Sequence, residues 1–419
     1  MVRRFLPITL LVVPLALSVA GAPLEAKIAS FWMDLPAIPT ARQEVGVAAL
    51  DAHVYVIGGI LENRGPTGIV ERFDTETGEW ESVAPLPEGT RLHHIGAAAA
   101  GRLVFAIGGL NSSFRGVPSV FAFNPATGNW ERRADMPWNR GASGVAAIDD
   151  RIYVAGGQNG GTSFDDFAVY RVAEDRWEEL PSMPTARNHL AAAVVDGIFY
   201  AVGGRAGRLF DKLEAYSPEQ GEWRELAPMP TARGGIAAAA AFGWIFVFGG
   251  EGNSQDPRGI FHQVEGYDPC RNRWRSDAPM AHPRHGIGAG VVTGQIYLPG
   301  GSAVQGFGTT DTSDVFFPGT LGEPPGFFLR GDSNRDGVVD LSDAVFTLSS
   351  LFLTNEPLPC EDAADADDSG FVNITDPIFV LNHLFLGGPP PPRPGAEEPG
   401  FDPTDDALHC EGPVPVVCV

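Results

Sequence analysis

An internal repeat of about 48 residues, present six times, constrains the fold of this 419-residue chain more than any other feature. Each unit has an apolar run that ends in Gly-Gly and then a Phe or Tyr, and in five units a Trp follows seven residues later. The Gly-Gly pairs occupy positions 58–59, 108–109, 156–157, 203–204, 249–250 and 300–301. The aromatic residues are Phe73, Phe123, Tyr170, Tyr216, Tyr267 and Phe316. A period of this length indicates an array of similar units that bury their apolar faces against their neighbours.

The N-terminal end of the repeat region completes the last unit. Five units continue from their Trp through a Pro-containing segment to an Arg, and the sixth unit lacks that continuation. Trp32 and Arg42, which precede the first unit, have the ten-residue spacing that recurs at 130/140, 177/187, 223/233 and 274/284. The segment around Trp32 is therefore predicted to be the fourth strand of the last unit. Pairing of the two ends would close the array into a ring and remove its free sheet edges.

Four short strands, a to d, are predicted in each unit. Strand b ends at Gly-Gly, strand c carries the Phe or Tyr, and strand d carries the Trp. Strand a is rich in alanine, as in IAAAAA at residues 236–241. Alanine favours helices in isolation, but each of these runs precedes a β-rich run at the same place in its repeat. Small side chains also suit innermost strands, where six sheets crowd around one axis.

This pattern resembles the kelch repeat over about residues 28–318. The resemblance implies an all-β fold, a six-bladed β-propeller closed by its N-terminal strand. Strand alternation then places the b–c and d–a connections on one face and the a–b and c–d turns on the other. The b–c loops are longer and differ from unit to unit, and variable loops on a rigid scaffold usually carry binding function. We therefore expect a binding surface on the b–c face, around the axis.

Charged residues that break the sixfold pattern are the candidate ligand-binding residues. In the b–c loops these are Arg64, Arg115, Arg205, Arg208, Glu251 and Arg258. Arginine forks bind carboxylates and anionic sugars, and solvated loop charge is the alternative interpretation. The arginines that recur in every unit are instead expected to hold the units together. These are Arg42, Arg91, Arg140, Arg187, Arg233 and Arg284.

Four histidines near the starts of the a strands also break the pattern. They are His93, His94, His189 and His285. Histidine clusters bind metal ions. However, these residues belong to units 2, 4 and 6, which stand apart around the ring, so we do not expect them to form a metal site.

The sequence favours a binding protein over an enzyme, and no catalytic residue is predicted. Some kelch-like propellers oxidise alcohols at a copper site that needs Tyr, Cys and His together, but these repeats contain one cysteine, Cys270, in a turn on the opposite face. The expected ligand is a carbohydrate or a protein. The alternative is an enzyme that resembles the sialic-acid mutarotases, or acts on another sugar in the propeller channel. Anomer exchange needs only a positioned acid or base and an anion clamp.

Two acidic loops near the C-terminus have the spacing of EF-hand calcium ligands, with Gly337 and Gly370 at the sharp turns. The first loop offers Asp332, Asn334, Asp336, the Val338 carbonyl, Asp340 and Asp343. The second loop offers Asp365, Asp367, Ser369, the Phe371 carbonyl, Asn373 and Asp376. Each loop leads into an apolar helix, so the duplication predicts a small helical domain that binds two Ca²⁺ ions. Two acidic turns that bind nothing are the alternative.

This duplication resembles the calcium-binding module called dockerin over about residues 331–388. The resemblance implies two calcium ions and docking to a cohesin-like partner or scaffold. Because the carboxylates repel each other without a cation, folding of the module should be coupled to the metal. The positions that usually read the partner hold Leu341, Ser342, Ile374 and Thr375, which depart from the common small hydroxylated pair.

The remaining segments predict an exported protein. Residues 1–20 combine two arginines, an apolar run and small residues, the pattern of a signal peptide cleaved after Ala20, with Ala26 as a second choice. A retained membrane anchor is the alternative interpretation. Four cysteines in an exported chain suggest disulfides, and we favour a Cys360–Cys410 bridge, which leaves Cys270 and Cys418 unassigned. Residues 319–330 are assigned to a linker, and residues 389–419 to a Pro-rich spacer and a cysteine-containing tail. The mature chain is expected to lack a membrane span and to be secreted, either extracellular or at the cell surface, with the periplasm as another destination.

The charge of the chain limits its partners. The formal net charge is −23, and residues 327–419 hold 17 acidic against 3 basic residues. Nucleic acid and anionic lipid are therefore poor partners.

Overall fold

The repeat region folds as a ring of six four-stranded antiparallel sheets, which confirms the predicted six-bladed β-propeller. The computed structural model describes residues 30–318, 327–334, 338–354, 358–396, 400–401, 404 and 408. The predicted signal peptide, residues 1–20, and most of the predicted linker, residues 319–326, lie outside the described residues.

The blade strands are numbered β1 to β24 in chain order, and β1, Phe31–Asp34, precedes the first blade. Blade 1 contains β2 Gly46–Leu50, β3 His53–Ile57, β4 Val70–Asp74 and β5 Glu79–Val83. Blade 2 contains β6 Gly96–Ala100, β7 Leu103–Ile107, β8 Val120–Asn124 and β9 Asn129–Arg133. Blade 3 contains β10 Gly144–Ile148, β11 Arg151–Ala155, β12 Phe167–Arg171 and β13 Arg176–Leu180.

Blades 4 to 6 repeat this arrangement. Blade 4 contains β14 Ala191–Val195, β15 Ile198–Val202, β16 Leu213–Ser217 and β17 Glu222–Glu225. Blade 5 contains β18 Ala237–Ala241, β19 Trp244–Phe248, β20 Val264–Asp268 and β21 Arg273–Ser276. Blade 6 contains β22 Gly290–Val292, β23 Gln295–Pro299 and β24 Ser313–Phe317, and β1 supplies its fourth strand.

The N-terminal strand closes the ring, as the repeat spacing predicts. β1 pairs antiparallel with β24, and Trp32 stands opposite Phe316. The same pairing of Trp with an aromatic residue occurs in blade 1, where Phe73 stands opposite Trp80. The sheet of blade 6 therefore has the order β1-β24-β23-β22, with no free edge left by the missing fourth strand.

The repeat tryptophans bind each blade to the one before it. Each indole N–H donates to a backbone carbonyl just after the outer strand of the preceding blade, over 2.8 to 3.0 Å. The donor and acceptor pairs are Trp32–Ala278, Trp80–Pro36, Trp130–Ala84, Trp177–Ala134, Trp223–Pro181 and Trp274–Ala227. The Trp32 bond has the same form as the other five, so closure reproduces an ordinary blade interface.

The alanine-rich runs are strands, despite the helix propensity of alanine. In β18 the side chains of Ala237, Ala239 and Ala241 are buried, and the intervening residues are half-buried. β14 shows the same alternation. Tertiary position overrides propensity here, because six inner strands share the narrow space around the axis and only small side chains fit there.

Buried arginines join the loop before each blade to that blade's second and third strands. The Arg187 guanidinium donates to the carbonyls of Gly203 and Ala201, over 2.8 and 3.1 Å, and pairs with Glu214 at 2.6 Å. Four other arginines pair in the same way with a carboxylate on or beside the third strand of the blade. These pairs are Arg42–Glu71, Arg140–Asp166, Arg233–Glu265 and Arg284–Asp314. The expectation that these recurring arginines are structural is confirmed for those five.

Blade 2 is the exception, and the expectation for Arg91 is wrong. Arg91 is exposed, and the next residue, Leu92, lies where the other blades have their arginine. The Leu92 carbonyl accepts the hydrogen bond from the Gly59 N–H, just as the Arg140 carbonyl accepts from Gly109. Phe121 stands at the position of the partner carboxylate and packs in the same core cluster as Leu92. An apolar pair thus replaces the ion pair in this blade.

The C-terminal region contains short helices. Within the described residues they are α1 Leu341–Ser349, continued by a π-helical turn over Ser350–Thr354, α2 Glu361–Ala364 and α3 Thr375–Leu386. Asp340 caps α1, because its side chain accepts a hydrogen bond from the Ser342 N–H. Ala344, Ala366 and Val380 form a small core.

Several shorter elements complete the description. They are two 3₁₀ turns, Pro87–Gly89 and Val172–Glu174, and the two-residue ladders Arg42–Gln43 with Ile60–Leu61, Gln158–Asn159 with Thr162–Ser163, and Phe327–Phe328 with Gly400–Phe401. In the described part of the chain, Cys270 and Cys360 each take part in a disulfide bond. The Cys360–Cys410 pairing stays a prediction, because Cys410 lies outside the described residues. The described helices are all too short or too polar to cross a membrane.

Candidate functional site at the propeller axis

Six equivalent residues form a closed ring of backbone hydrogen bonds around the propeller axis. They lie just before the first strand of each blade, and we call them the axial ring: Glu44, His94, Ala142, His189, Gly235 and Gly286. The N–H of each donates to the carbonyl of its counterpart in the preceding blade, over 2.7 to 3.0 Å. The bond from Glu44 to Gly286 closes the circle. The backbone therefore fixes where the side chains of the axial ring begin.

The backbone of the axial ring is left-handed. All six residues have a positive φ, between 50° and 69°. Glycine adopts this conformation readily, whereas other residues do so at a cost of about 1–2 kcal/mol. Glu44, His94 and His189 hold it although glycine occupies the equivalent position in blades 5 and 6. Such strain in non-glycine residues tends to occur at functional sites, and here it coincides with three ionisable side chains.

The side chains of Glu44, His94 and His189 meet on the axis. His94 Nε2 lies 3.0 Å from His189 Nε2 and 3.2 Å from Glu44 Oε2. The expectation that the histidines stand too far apart to form a cluster is therefore wrong. Blades 2 and 4 are separated at the rim of the propeller, but the axial ring is narrow, so side chains from non-adjacent blades reach each other.

His285 and Glu251 extend this cluster on the other side of Glu44. His285 Nδ1 lies 3.5 Å from Glu44 Oε1, and His285 Nε2 lies 3.7 Å from Glu251 Oε2. Glu251 also accepts a hydrogen bond from the Gly306 N–H at 3.1 Å. Both side chains are buried.

Arg205 brings a cation to the same cluster. Its guanidinium pairs with the Glu251 carboxylate, and its Nη2 lies 2.8 Å from His189 Nε2. The Arg205 side chain is 33% exposed, so it connects the buried cluster to solvent. His93 lies behind His94, and the Nδ1 atoms of the two rings are in contact.

The surroundings shift the pKa values of the cluster in a consistent direction. Burial raises the pKa of the Glu44 carboxyl, but the nearby histidines outweigh burial and hold it well below its usual range. Burial lowers the pKa of His94, and lowers that of His189 well below its ordinary value. Burial and the adjacent His94 lower the pKa of His93 to about 4. Burial also acts to lower the pKa of His285, but the neighbouring carboxylates raise it above its ordinary value. At neutral pH an ionised carboxylate thus faces neutral imidazoles at positions 94 and 189.

The structure brings two of the six candidate loop residues to this cluster, Arg205 and Glu251. The other four are exposed on the b–c face: Arg64, Arg115, Arg208 and Arg258. Arg258 pairs with Asp256 in its own loop. The role of all six in binding a ligand stays a prediction.

Sequence reasoning missed Glu44, the residue that joins both halves of the cluster. A usable signal was present. Counted back from the following strand, Glu44 aligns with Ala142, Gly235 and Gly286, so a carboxylate there also breaks the sixfold pattern.

The cavity on the propeller axis is smaller than the clefts beside the blade 5 loop. The axial cavity has a volume of about 180 Å³ and is lined by the axial ring and the adjoining residues of the inner strands. Two open clefts of about 510 and 520 Å³ flank the blade 5 loop over residues 252–258. Sites for small molecules usually measure about 300–1,000 Å³. The clefts are therefore within the size range of small-molecule sites, whereas the axial cavity is smaller.

Carboxylates converge in the second C-terminal loop. Asp365, Asp367 and Asp376 place one carboxylate oxygen each within 4.8 Å of one another. Asp367 Oδ1 is buried without a hydrogen-bond partner. Burial raises the pKa of Asp376 to about 7, and the nearby Asp367 and Asp365 add to the rise. Such a donor set of hard oxygen atoms suits Ca²⁺.

The other candidate ligands of the second loop gather around one carbonyl. Ser369 Oγ and Asn373 Nδ2 lie 3.3 and 3.1 Å from the Phe371 carbonyl oxygen and donate to it. The side chains at positions 5 and 9 of the loop thus lie beside the carbonyl at position 7, the three positions that supply ligands in an EF-hand-like loop.

The first C-terminal loop has a matching arrangement. Asp332 and Asp343 are buried. The Asp343 carboxylate accepts hydrogen bonds from the N–H groups of Asn334 and Asp340, at 3.2 and 2.9 Å. Asp376 uses the equivalent N–H groups in the second loop. Asp336 lies outside the described residues.

The repeat region is similar in sequence to proteins with kelch repeats. Residues 44–250 match the model of the KLHDC2/KLHL20/DRC7 Kelch-repeats domain. The chain is 31% identical over 331 residues to Kelch-like protein terF of Aspergillus terreus, a match that covers 72% of this chain and 70% of that protein. It is 43% identical over 53 residues to Kelch-like ECH-associated protein 1B of Danio rerio, which covers 12% of this chain and 9% of that protein.

A solved structure shares the architecture. The structure of YjhT matches with a TM-score of 0.58 at 16% sequence identity, and the match covers 67% of this chain and 95% of that chain. At this identity the likeness is one of fold alone.

Proposed function

This chain belongs to the kelch-repeat family, and on that premise we propose that it is an exported binding protein. Its propeller recognises a carbohydrate or protein ligand on the b–c face, and its C-terminal module tethers it through calcium. Export rests on the leader-like residues 1–20, which lie outside the described residues.

The two clefts beside the blade 5 loop carry this proposal. They lie on the face where the loops differ from blade to blade, and they are large enough for one or two sugar units. Polar side chains line the first cleft, among them Asn253, Ser254, Asp256, Arg258 and Gln305. Such groups match the hydroxyls of a sugar better than the apolar centre of a protein interface. A carbohydrate is therefore the favoured ligand, and Arg258 suits a sugar that carries a carboxylate.

A glycan array followed by calorimetry tests the ligand. Arg258→Ala should weaken binding of the captured glycan about tenfold or more, because a hydrogen bond to a charged group contributes about 1.5–3 kcal/mol. Arg132→Ala is a matched control, because Arg132 is also an exposed arginine paired with an aspartate. Equal affinity of the Arg258→Ala and Arg132→Ala chains would contradict the cleft assignment. Capture of peptides but no glycans would select the protein ligand instead.

An enzyme that resembles the sialic-acid mutarotases remains the second candidate. The observation that favours it is the convergence of Glu44, Glu251 and His285, acid–base groups of the kind that perturbed sites use. The axial cavity of about 180 Å³ opposes it, because a sugar would have to be engaged from the loop side. An anomerisation assay decides between the candidates. Acceleration that Glu251→Gln removes indicates an enzyme, and the absence of acceleration indicates a binder.

The calcium-binding part of the proposal concerns the two C-terminal loops. The ligands would be Asp332, Asn334, Asp336, Val338, Asp340 and Asp343 in one loop, and Asp365, Asp367, Ser369, Phe371, Asn373 and Asp376 in the other. The buried, orphaned Asp367 oxygen supports the second site. Asp343 and Asp376 accept matching hydrogen bonds, which supports the proposal that both loops bind the same kind of ion.

A protein partner for the module, of cohesin-like type, is also proposed. Leu341 and Ile374, two of the four residues that the dockerin resemblance assigns to partner recognition, are 52% and 49% exposed. Val345 and Ile378, four residues further along, are 57% and 56% exposed, and exposed apolar patches mark interaction surfaces. Binding to an immobilised cohesin-type domain should require Ca²⁺ and be lost in Leu341→Asp. Retention in EDTA would contradict the proposal.

A further inference from the structure

We propose that Glu44, His94 and His189 form a binding site for one divalent transition-metal ion on the propeller axis. The three residues belong to the axial ring, before blades 1, 2 and 4, and all are buried. The inference concerns the metal ion alone and does not depend on the ligand of the b–c face.

Hydrogen bonds outside the cluster decide which ring nitrogens of His93 and His94 carry a proton. His93 Nε2 lies 3.1 Å from the Asn111 carbonyl oxygen, which can only accept, so His93 Nε2 carries the hydrogen. In a neutral ring His93 Nδ1 is then an acceptor, and it contacts His94 Nδ1. His94 therefore donates from Nδ1 and keeps a lone pair on Nε2. That lone pair faces Glu44 and His189.

The orientation of His189 is fixed in the same way. Its Nδ1 contacts Oδ1 of Asn188, whose amide nitrogen already donates to Ser163 Oγ at 2.5 Å. His189 Nδ1 is therefore the donor, and Nε2 carries the lone pair. Two lone pairs, on His94 Nε2 and His189 Nε2, thus face each other at 3.0 Å. Acceptors this close repel each other, and a metal ion bound by both lone pairs would replace that repulsion with two bonds.

The two separations that involve His94 Nε2 are close to those between metal ligands, and the three ligand atoms all lie within 4.8 Å of one another. Ligand atoms about 2.0–2.1 Å from a tetrahedral ion are separated by about 3.3 Å. The observed separations are 3.0 Å between His94 and His189 and 3.2 Å between His94 and Glu44. Histidines that bind metals usually donate their other nitrogen to an acceptor that fixes the tautomer. Asn188 does this for His189, and His93 does it for His94.

His285 occupies the other side of the Glu44 carboxylate. Its Nε2 lies 3.0 Å from the Val304 carbonyl oxygen, so that nitrogen carries the hydrogen. Its Nδ1 is buried without a hydrogen-bond partner and points toward Glu44 Oε1 at 3.5 Å. His285 thus lies beside Oε1 of Glu44 and leaves Oε2 to face His94.

Arg205 is the competitor of the metal ion. It donates to the Nε2 lone pair of His189 at 2.8 Å and pairs with Glu251. Because its side chain is 33% exposed, it can turn toward solvent. The buried Glu251 carboxylate then keeps the Gly306 N–H and His285 as neighbours. An ion that binds His189 must displace this hydrogen bond, so loss of Arg205 should strengthen metal binding.

The donor set selects the class of ion. Two imidazole nitrogens and one carboxylate suit first-row transition metals and Zn²⁺, whereas Ca²⁺ takes about six to eight oxygen ligands. The acidic C-terminal loops have the opposite preference. Excess Ca²⁺ therefore keeps those loops occupied while a transition metal is titrated into the propeller.

The test is titration of the chelator-treated full chain with Co²⁺ in excess Ca²⁺, followed by visible absorption and calorimetry. We expect one tight site per chain with the spectrum of mixed nitrogen and oxygen ligation. His94→Ala and His189→Ala should each weaken binding by at least about 10–100-fold, the loss that follows removal even of groups that only support a ligand. Arg205→Ala should bind Co²⁺ as tightly as the wild type or more tightly.

The controls separate loss of ligands from loss of fold. Ala142 already holds the axial-ring conformation with a φ of 55°, so alanine at positions 94 and 189 is compatible with the backbone. Unchanged circular dichroism and thermal unfolding verify this. His53→Ala removes a histidine on β3, and His282→Ala removes one beside Asp34 and Asp314. Absence of Co²⁺ binding in the wild type, unchanged binding in both ring variants, or loss in His282→Ala alone would each overturn the proposal.

Discussion

At the scale of single residues, the propeller uses one buried arginine per blade wherever a carboxylate can meet it. The Arg187 guanidinium has backbone carbonyls and the Glu214 carboxylate as acceptors, and both side chains are fully buried. A buried charge is tolerated only when its partners are complete. These pairs therefore fix the geometry of the loop that carries the axial ring, two residues further on.

Arg187→Ala should destabilise the propeller strongly. It leaves the Glu214 charge buried and unpaired, and breaking a buried ion pair costs about 3–5 kcal/mol. Arg91→Ala should change the free energy of unfolding by no more than about 0.5 kcal/mol, because Arg91 is exposed. Urea denaturation of the two variants measures the difference. Equal midpoints would contradict the structural role of the recurring arginines.

The apolar pair in blade 2 offers a double-mutant test. Leu92→Arg and Phe121→Glu should each destabilise the chain, because each buries a charge without its partner. The double variant recreates the ion pair of the other blades, so we expect it to recover about 0.5–3 kcal/mol relative to the sum of the single changes. Denaturation of all four chains gives the coupling energy. A coupling of zero would mean that Leu92 and Phe121 do not occupy equivalent positions.

The error over Arg91 has a physical cause. Trp80 and Arg91 are eleven residues apart, whereas the other units have ten, and sequence spacing alone does not say which residue the extra length displaces. Only the hydrogen bond from Gly59 to the Leu92 carbonyl identifies the structural equivalent. Equivalent residues of a repeat can be assigned from the sequence where the spacing is constant, and the assignment fails where residues are inserted.

At the scale of elements, β1 decides whether the array is closed. Trp32 packs on Phe316 and Phe248 and donates to the Ala278 carbonyl. Without β1, β24 would present a row of unpaired backbone groups. The identity of β1 could be predicted because Trp32 and Arg42 repeat the spacing of the complete units.

A chain that begins at Leu35 should lose this closure. We expect a loss of at least about 3 kcal/mol, the scale of removing one large packed aromatic side chain. We also expect faster hydrogen exchange of β24 amides. A chain that begins at Ser30 is the control, because it keeps β1. Equal exchange in β24 of the two chains would show that β1 does not pair there.

At the scale of the whole molecule, the propeller and the C-terminal region are stabilised by different interactions. The propeller is held by apolar cores between neighbouring blades, whereas the C-terminal loops bury carboxylates that repel each other without a cation. The overall net charge of −23 is concentrated in the second region.

Chelation should therefore unfold the C-terminal helices and leave the propeller folded. A ligand at about a thousand times its dissociation constant stabilises its domain by about 4 kcal/mol, and EDTA removes that contribution. Calorimetry should show one transition that moves down in temperature in EDTA and a second that does not. Asp376→Asn should reproduce part of the shift without EDTA. A thermogram that EDTA leaves unchanged would reject the calcium assignment.

The sequence predicts the fold of this molecule better than its axial cluster. The repeat pattern is present six times, so one irregular copy does not hide it. Blade number, strand order and closure can therefore be predicted from the spacing of the repeated residues. The cluster depends on a distance across the axis, which no spacing along the chain encodes. His94 and His189 are 95 residues apart in sequence and 3.0 Å apart at their Nε2 atoms. Asymmetry in the repeats still identified the histidines, and the same test applied to the axial ring would have identified Glu44.

The central claim is that ring closure brings Glu44, His94 and His189 from three blades to one point on the axis. A crystal structure of the Zn²⁺-loaded chain, with anomalous diffraction at the zinc edge, tests this most directly. We expect one peak inside the axial ring, about 2.0–2.2 Å from His94 Nε2, His189 Nε2 and a Glu44 oxygen. A peak elsewhere in the propeller, or a ring in which these three side chains point to separate places, would contradict the account.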